Sequence, residues 1–310
     1  MVVNKMNEPS IEEQEFKIGS SMKIGHVSLN VTNVQRSLDF YKKILGFKVI
    51  GRISDERALL SVDGSSSHLI ELLKAKENHN NDLFNPLVTA TRRAGLYHLA
   101  ILLPERKYLA DMLQNLRDNS DQVYFDGLAD HLVSESIYIR DPDLIGTEIY
   151  RDRPMTAWNW DGNRIEMTTL PLNTKNLLRE STDKGWKGMP SKTTIGHVHL
   201  HVQDLARATK FYHEILGLNL TATIPPSAAF FAAGKYHHHI AANTWLGTDI
   251  LPASPQSVGL NHFSIDLPSK EEFQRLVKQL LRYEKEFTTI SEKSGFTYDS
   301  DGIKIQVQHE

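Results

Sequence analysis

Two stretches of the chain carry one alternation of apolar and polar positions. Residues 24–49, IGHVSLNVTNVQRSLDFYKKILGFKV, superimpose without a gap on residues 195–220, IGHVHLHVQDLARATKFYHEILGLNL. Each opens with period-two alternation, which in a strand puts Val27, Leu29 and Val31 on one face and His26, Ser28 and Asn30 on the other. In the second copy the polar face is His197, His199 and His201. Helical spacing follows: Leu38, Tyr41 and Leu45 in one copy, Leu205, Tyr212 and Leu216 in the other. Asn33 or Asp204 is placed to cap the start, and Gly46 or Gly217 to stop the helix. Two fainter copies, GLYHLAILL (95–103) and GLNHFSIDL (259–267), precede helical stretches at 106–116 and 271–281, with His98 and His262 in the place of His26 and His197. Short strand-like runs close the units at 57–61 and 68–73, 136–139 and 146–150, 228–232 and 236–241, and 297–298 and 303–308. The chain reads as four strand–helix–strands units, an internal duplication.

The remaining segments divide it. Residues 1–21 are polar, lack a basic then apolar leader pattern, and read as a loose arm. Units one and two make a first domain at 22–153 and units three and four a second at 192–310. The Pro- and Gly-bearing stretch 154–191 is a linker, with Trp158 and Trp160 as anchors onto the body. A length of 310 residues fits two domains, and 40% hydrophobic with 24% charged residues fits a folded, water-soluble protein. The formal net charge of −3 without a dense basic run removes the usual reason to expect a nucleic acid or a membrane as partner. Small-molecule chemistry is the default. With no cysteine in the chain, disulfides, thiolate nucleophiles and sulfur-ligated metals are excluded, so any metal must be held by nitrogen and oxygen.

Fourteen histidines make such a site worth seeking. Two imidazoles and a carboxylate that leave open positions are the ligand set of non-haem Fe(II) oxygenases. The unit endings supply carboxylates unevenly: Glu71 in HLIELL and Glu148 in DPDLIGTEIYRDRP, but Ala241 in YHHHIAANTW and Gln306 in DSDGIKIQV. The unit that begins with His98 therefore ends with Glu148. Strand alternation through His237-His238-His239 turns His237 and His239 to the face where the third unit lacks its carboxylate.

These features resemble the vicinal-oxygen-chelate superfamily of glyoxalases, bleomycin-resistance proteins and extradiol dioxygenases. The likeness rests on the four-unit layout, the DHLVSE segment (130–135), the YRDRP ending and YHHHIAANTW, and within the superfamily it is greatest to bacterial four-module catechol 2,3-dioxygenases. The resemblance implies an α+β fold of four βαβββ modules, paired into two half-open eight-stranded barrels. It also implies that one module supplies a histidine and a glutamate, here His98 and Glu148, and its partner the second histidine. That is His26 if modules one and two pair, and His197 if two and three pair, the arrangement favoured here. The implied cofactor is Fe(II), with Mn(II) as the alternative ion. The substrates are catechol or a substituted catechol and dioxygen, Tyr138 is an active-site residue, and His131 and His239 are acid–base candidates. A cytoplasmic enzyme is expected, with homo-oligomerisation left open. Two rivals share the fold: a glyoxalase-like lyase or isomerase using His26, Glu71, His98 and Glu148, and a metal-free small-molecule binding protein. One departure stands out, since Leu144 occupies the usual glycine of the Asp-Pro-Asp-Gly turn.

Overall fold

Each unit folds as a strand, a helix and three further strands in the computed structural model, which describes residues 16–65, 67–76, 92–182 and 184–310. Unit one has β1 (Lys23–Val31), α1 (Val34–Asp39), β2 (Lys48–Ser54), β3 (Arg57–Ser61) and β4 (Ile70–Lys74). Unit two has β5 (Gly95–Leu102), α2 (Arg106–Asp118), β6 (Tyr124–Asp130), β7 (Ser134–Arg140) and β8 (Gly146–Asp152). The linker holds a ribbon of β9 (Trp160–Asp161) and β10 (Arg164–Ile165), then α3 (Thr174–Leu178). Unit three has β11 (Thr194–His201), α4 (Leu205–Thr209), β12 (Asn219–Ile224), β13 (Ala228–Ala232) and β14 (Ile240–Asn243). Unit four has β15 (Gly259–Leu267), α5 (Lys270–Arg282), β16 (Thr288–Ser291), β17 (Ser294–Tyr298) and β18 (Lys304–His309). Helices α1 and α4 run on into π-helical turns, Phe40–Ile44 and Lys210–Ile215. Asn33 and Asp204 cap them as expected, accepting backbone N–H groups two to three residues ahead. No helix among the described residues is long and apolar enough to cross a membrane.

The strands form two eight-stranded mixed sheets, ordered β16-β17-β18-β15-β1-β4-β3-β2 and β12-β13-β14-β11-β5-β8-β7-β6. Neither closes, so this is the α+β glyoxalase-like arrangement with open sheets. Unit one pairs with unit four, and unit two with unit three. The expected division into 22–153 and 192–310 follows chain order, whereas each sheet takes one unit from each half. Sequence proximity does not decide the pairing, because the exposed edges of β1 and β5 are satisfied by β15 and β11, each in an antiparallel ladder.

Both faces of the first strands are covered. Val27, Leu29 and Val31 enter a core shared by the two sheets and their helices, while His26, Ser28 and Asn30 are also buried, on the opposite, concave face. A hydrophobic core on one side and a polar lining on the other is what the alternation encodes. Two backbone approaches lock the halves. Ile18 N–H donates to the Gly217 carbonyl and Met189 N–H to the Gly46 carbonyl, both at 3.2 Å. A Cβ on Gly46 would meet Gly188, and one on Gly217 would meet Phe16; both glycines also adopt positive φ. The arm is therefore docked rather than loose over residues 16–21, and residues 1–15 lie outside the described residues. Trp158 anchors the linker as expected, buried with its indole N–H donating to the Val133 carbonyl, and Trp160 packs beside it.

The two sheets are tied by buried aspartates in matching turns. Asp141 accepts the N–H groups of Asp143 and Ile145 and the Tyr41 hydroxyl, and Asp299 accepts those of Asp301, Ile303 and Tyr212. Each tie joins a unit in one sheet to a unit in the other. Leu144 takes φ +61° where the matching turn has Gly302 at +81°, so the missing glycine leaves the turn shape unchanged and the leucine strained.

Two outcomes follow from this packing. Asp141→Ala leaves two backbone donors and a phenol unsatisfied and should cost about 2–4 kcal/mol in urea unfolding, with little change in circular dichroism. Burial lowers His26 and His239 to about 3 and His201 and His262 to about 4. The unfolded chain takes up these protons first, at about pH 6.5, so stability present above that pH is lost as pH falls toward 4. Each histidine adds up to about 1.4 kcal/mol per pH unit. Chelator-treated protein should show a urea midpoint markedly lower at pH 5 than at pH 7.5; equal midpoints would contradict the assignment.

Candidate metal centre

Three adjacent strands carry the centre. In the antiparallel ladder of β5 and β11, Ala100 stands opposite His197 and His98 opposite His199. On the other side of β5 the parallel strand β8 puts Glu148 beside Ala100. Because Ala100 is small, His98, Glu148 and His197 converge over it on the concave face, all three buried, with one potential ligand atom from each lying within 4.8 Å of the others. His197 Nε2 is 3.0 Å from Glu148 Oε2. His98 Nε2 is 3.0 Å from the same oxygen but makes no hydrogen bond. Neighbouring ligands bound at about 2.1 Å to one ion lie about 3 Å apart when the angle between them is near a right angle, so these spacings suit a shared cation.

Electrostatics favours the same occupant. Three glutamates are buried among the described residues, Glu71, Glu135 and Glu148. Glu71 is paired with Arg57, and Glu135 with Arg106, Arg151 and Arg153. The hydrogen-bonding and charge neighbours of Glu148 are instead imidazoles, the Tyr138 phenol and the Ser136 hydroxyl, which donates to Oε1 at 2.6 Å. Burial raises the carboxyl, but His197 and His98 outweigh it and hold Glu148 well below the usual carboxylate range. Burial also pushes His197 down to about 4, leaving it a neutral imidazole at pH 7. A buried carboxylate faced by imidazoles, of which His197 is held neutral, and by no arginine or lysine is suited to a positive ion. The donor set of nitrogen and oxygen fits a divalent transition ion.

Tyr138 stands opposite Glu148 in the β7–β8 ladder, its ring 5.5 Å from that of His98. His131 Nε2 is 2.8 Å from the Tyr138 hydroxyl, and its Nδ1 is 2.8 Å from the Thr168 carbonyl. The carbonyl accepts only, so Nδ1 carries a proton, and in the neutral imidazole Nε2 receives the phenol hydrogen. Burial holds the Tyr138 phenol well above its ordinary value. The segment 130–135 is held by the 150–154 ending: Arg153 reaches Asp130 at 2.6 Å, and Arg151 and Arg153 reach Glu135.

The histidine run departs from expectation. Residues 237–239 form a turn before β14 rather than part of a strand, so alternation does not govern them. His239 packs on Tyr236, and its Nδ1 accepts the Ala233 N–H. The imidazole that stacks on His197, with ring centroids 4.1 Å apart, is His238. Asp152 accepts from His237 Nε2 and His238 Nδ1 lies 2.8 Å from His237 Nδ1, so with a neutral His237 it is His238 that donates from Nδ1 and keeps a lone pair on Nε2. The sequence reading passed over His238 because an assumed strand turned it away. His199 lies 5.0 Å from His98 and packs against the rings of Tyr97 and Trp245. Its only signal was its place on the polar face of β11. The glyoxalase-type set is dispersed, because His26 and Glu71 belong to one sheet and His98 and Glu148 to the other.

Comparison with known proteins agrees with this architecture. The family model described as Glyoxalase/Bleomycin resistance protein/Dioxygenase superfamily matches residues 23–149 and 194–307. A catechol-2,3-dioxygenase of Bacillus subtilis (strain 168) is 38% identical over 260 residues, 83% of this chain and 87% of its own. A lactoylglutathione lyase of Pseudomonas putida is 23% identical over 177 residues, 50% of this chain and 100% of its own. Among solved structures, glyoxalase I from Zea mays superimposes with TM-score 0.53 at 15% identity, over 93% of this chain and 92% of its own, a likeness of fold. With the family model covering both halves and the ligand-bearing strands in each, the chain belongs to the glyoxalase/bleomycin resistance protein/dioxygenase superfamily.

Proposed function

We propose that this protein is an extradiol dioxygenase that cleaves catechol or a substituted catechol, with Fe(II) held by His98, Glu148 and His197. The single observation that carries the reading is Glu148, a buried carboxylate with no arginine or lysine beside it that lies 3.0 Å from one nitrogen of each imidazole. The likeness to the Bacillus catechol-2,3-dioxygenase over most of both chains supports the choice of reaction. Ferrous iron held by His98, Glu148 and His197 would supply the Lewis-acid and redox chemistry of ring cleavage.

The rest is work for the chain's own groups. Tyr97, Phe230 and Trp245 stand around His199 and give an aromatic wall against which a planar ring is oriented. Trp245 is 47% exposed and marks the open side. Tyr138 and His131 form a proton pair: the Tyr138 oxygen takes a proton from the catechol as its own passes to His131 Nε2. His238 offers Nε2 as a second proton acceptor, fixed in that tautomer by His237 and Asp152. His239 has its Nδ1 occupied by the Ala233 amide and helps shape this turn.

Aerobic assay of the Fe(II)-loaded protein with catechol should give a yellow ring-cleaved product; no colour across several catechols, with iron shown to be bound, rules out the substrate class. Glu148→Ala should drop bound iron from about one ion per chain to near zero with an unchanged far-UV spectrum, and Ser136→Ala should weaken metal affinity about 10–100-fold through the lost hydrogen bond to Oε1. Tyr138→Phe should retain iron while losing about 10²–10⁴ in kcat. Loss of iron from that variant would instead make Tyr138 a structural support.

A further inference from the structure

The sheet of units one and four repeats the backbone positions of the centre in the other sheet. Ser28 stands opposite His262 and beside Glu71, as Ala100 stands opposite His197 and beside Glu148. His26, Glu71 and His262 therefore occupy the places of His98, Glu148 and His197. All three are buried, and the Nε2 atoms of His26 and His262 are 3.2 Å apart.

What differs is the grip on the carboxylate. Arg57 stands opposite Leu73 while Leu59 stands opposite Glu71. Ser136 stands opposite Tyr150 while Tyr138 stands opposite Glu148. Arg57 thus has the register position of Ser136, and each donates to Oε1 of its glutamate at 2.6 Å. The change from hydroxyl to guanidinium matters for charge, because Arg57, ion-paired with Glu71 and joined by the charge of Lys304, supplies the positive charge that an ion would bring. Ser28, in the place of Ala100, donates to Oε2 of Glu71 at 2.6 Å and so engages the oxygen that in the other sheet stands between the imidazoles. We infer that units one and four hold a second divalent-cation site, made by His26, Glu71 and His262, which Arg57 keeps closed.

The test counts ions. Protein stripped by chelator is reloaded with Co(II), dialysed, and analysed for metal per chain. The parent should hold one ion and Arg57→Ser two. Arg57 has 45% of its side chain exposed, so the change removes little packing. Arg57→Gln, which keeps a neutral donor for Oε1, should give the same increment and serves if the serine variant folds poorly. Adding His26→Ala to Arg57→Ser should return the count to one. In a Glu148→Ala background the counts should be none without and one with Arg57→Ser, and in that pair Co(II) should raise the melting temperature of the double variant alone. No increment in either Arg57 variant overturns the inference, as does an extra ion that survives His26→Ala. If Glu148→Ala alone still holds one ion, the assignment of the first centre fails, while the increment on changing Arg57 still judges the second.

Discussion

A carboxylate taken out of water without a cation is among the least tolerable arrangements in a protein interior. Glu148 is in that position, 2% exposed and met by imidazoles and hydroxyls but by no arginine or lysine. The other buried glutamates show the usual remedy, guanidinium pairs at 2.6–2.8 Å. The contrast separates the two sheets: at Glu71 an arginine neutralises the charge, and at Glu148 none does, so the geometry there suits an ion. The DHLVSE and YRDRP segments serve this frame, since their salt bridges hold the β7 and β8 ends that carry Ser136, Tyr138 and Glu148 in register.

The duplication explains why the centre draws on distant parts of the chain. At the register places of the cluster, a single unit offers at most one first-strand histidine and one last-strand glutamate. The second imidazole needs an antiparallel neighbour, and the ladder supplies it from 49 residues beyond Glu148. Matching aspartate turns then hold the sheets against each other, with Tyr41 and Tyr212 crossing from one sheet's unit to the other's. The two sheets share a backbone plan and have diverged at a few side chains, Ser136 against Arg57 and Ala100 against Ser28 above all. Divergence at side chains over a retained frame is what a packed duplicated core permits, because frame changes disturb every contact and lining changes only a few.

Much of this was legible along the chain. Period-two alternation placed the four histidines at one register position, and the structure puts all four on buried concave faces. His98 and Glu148 share a unit, and Tyr138 lies opposite that glutamate, as its ten-residue spacing allowed in a hairpin. The second strands, such as β6 and β16, left little trace because they are exposed edge strands with weak alternation. The histidine run misled, since three imidazoles in succession fit a strand by pattern while the backbone needs a turn there to reach β14. The Arg57 contact with Glu71 was also invisible, because charge pairing between neighbouring strands depends on register.

By itself, then, the order of residues determined the four repeats, the polar lining of their first strands, the nitrogen and oxygen character of any metal ligand, and the unit that carries both His98 and Glu148. These are local properties, written by spacing within one element or one repeat. Only the tertiary structure decided that unit two meets unit three, that His197 rather than His26 completes the cluster, that His238 lies on it, and that Arg57 occupies the place of Ser136. Those are questions of which strand edges hydrogen-bond to each other, and four similar edges compete for partners with nearly equal local chemistry. The packing of the whole chain, through the crossed ties and the docked arm and linker, selects among them.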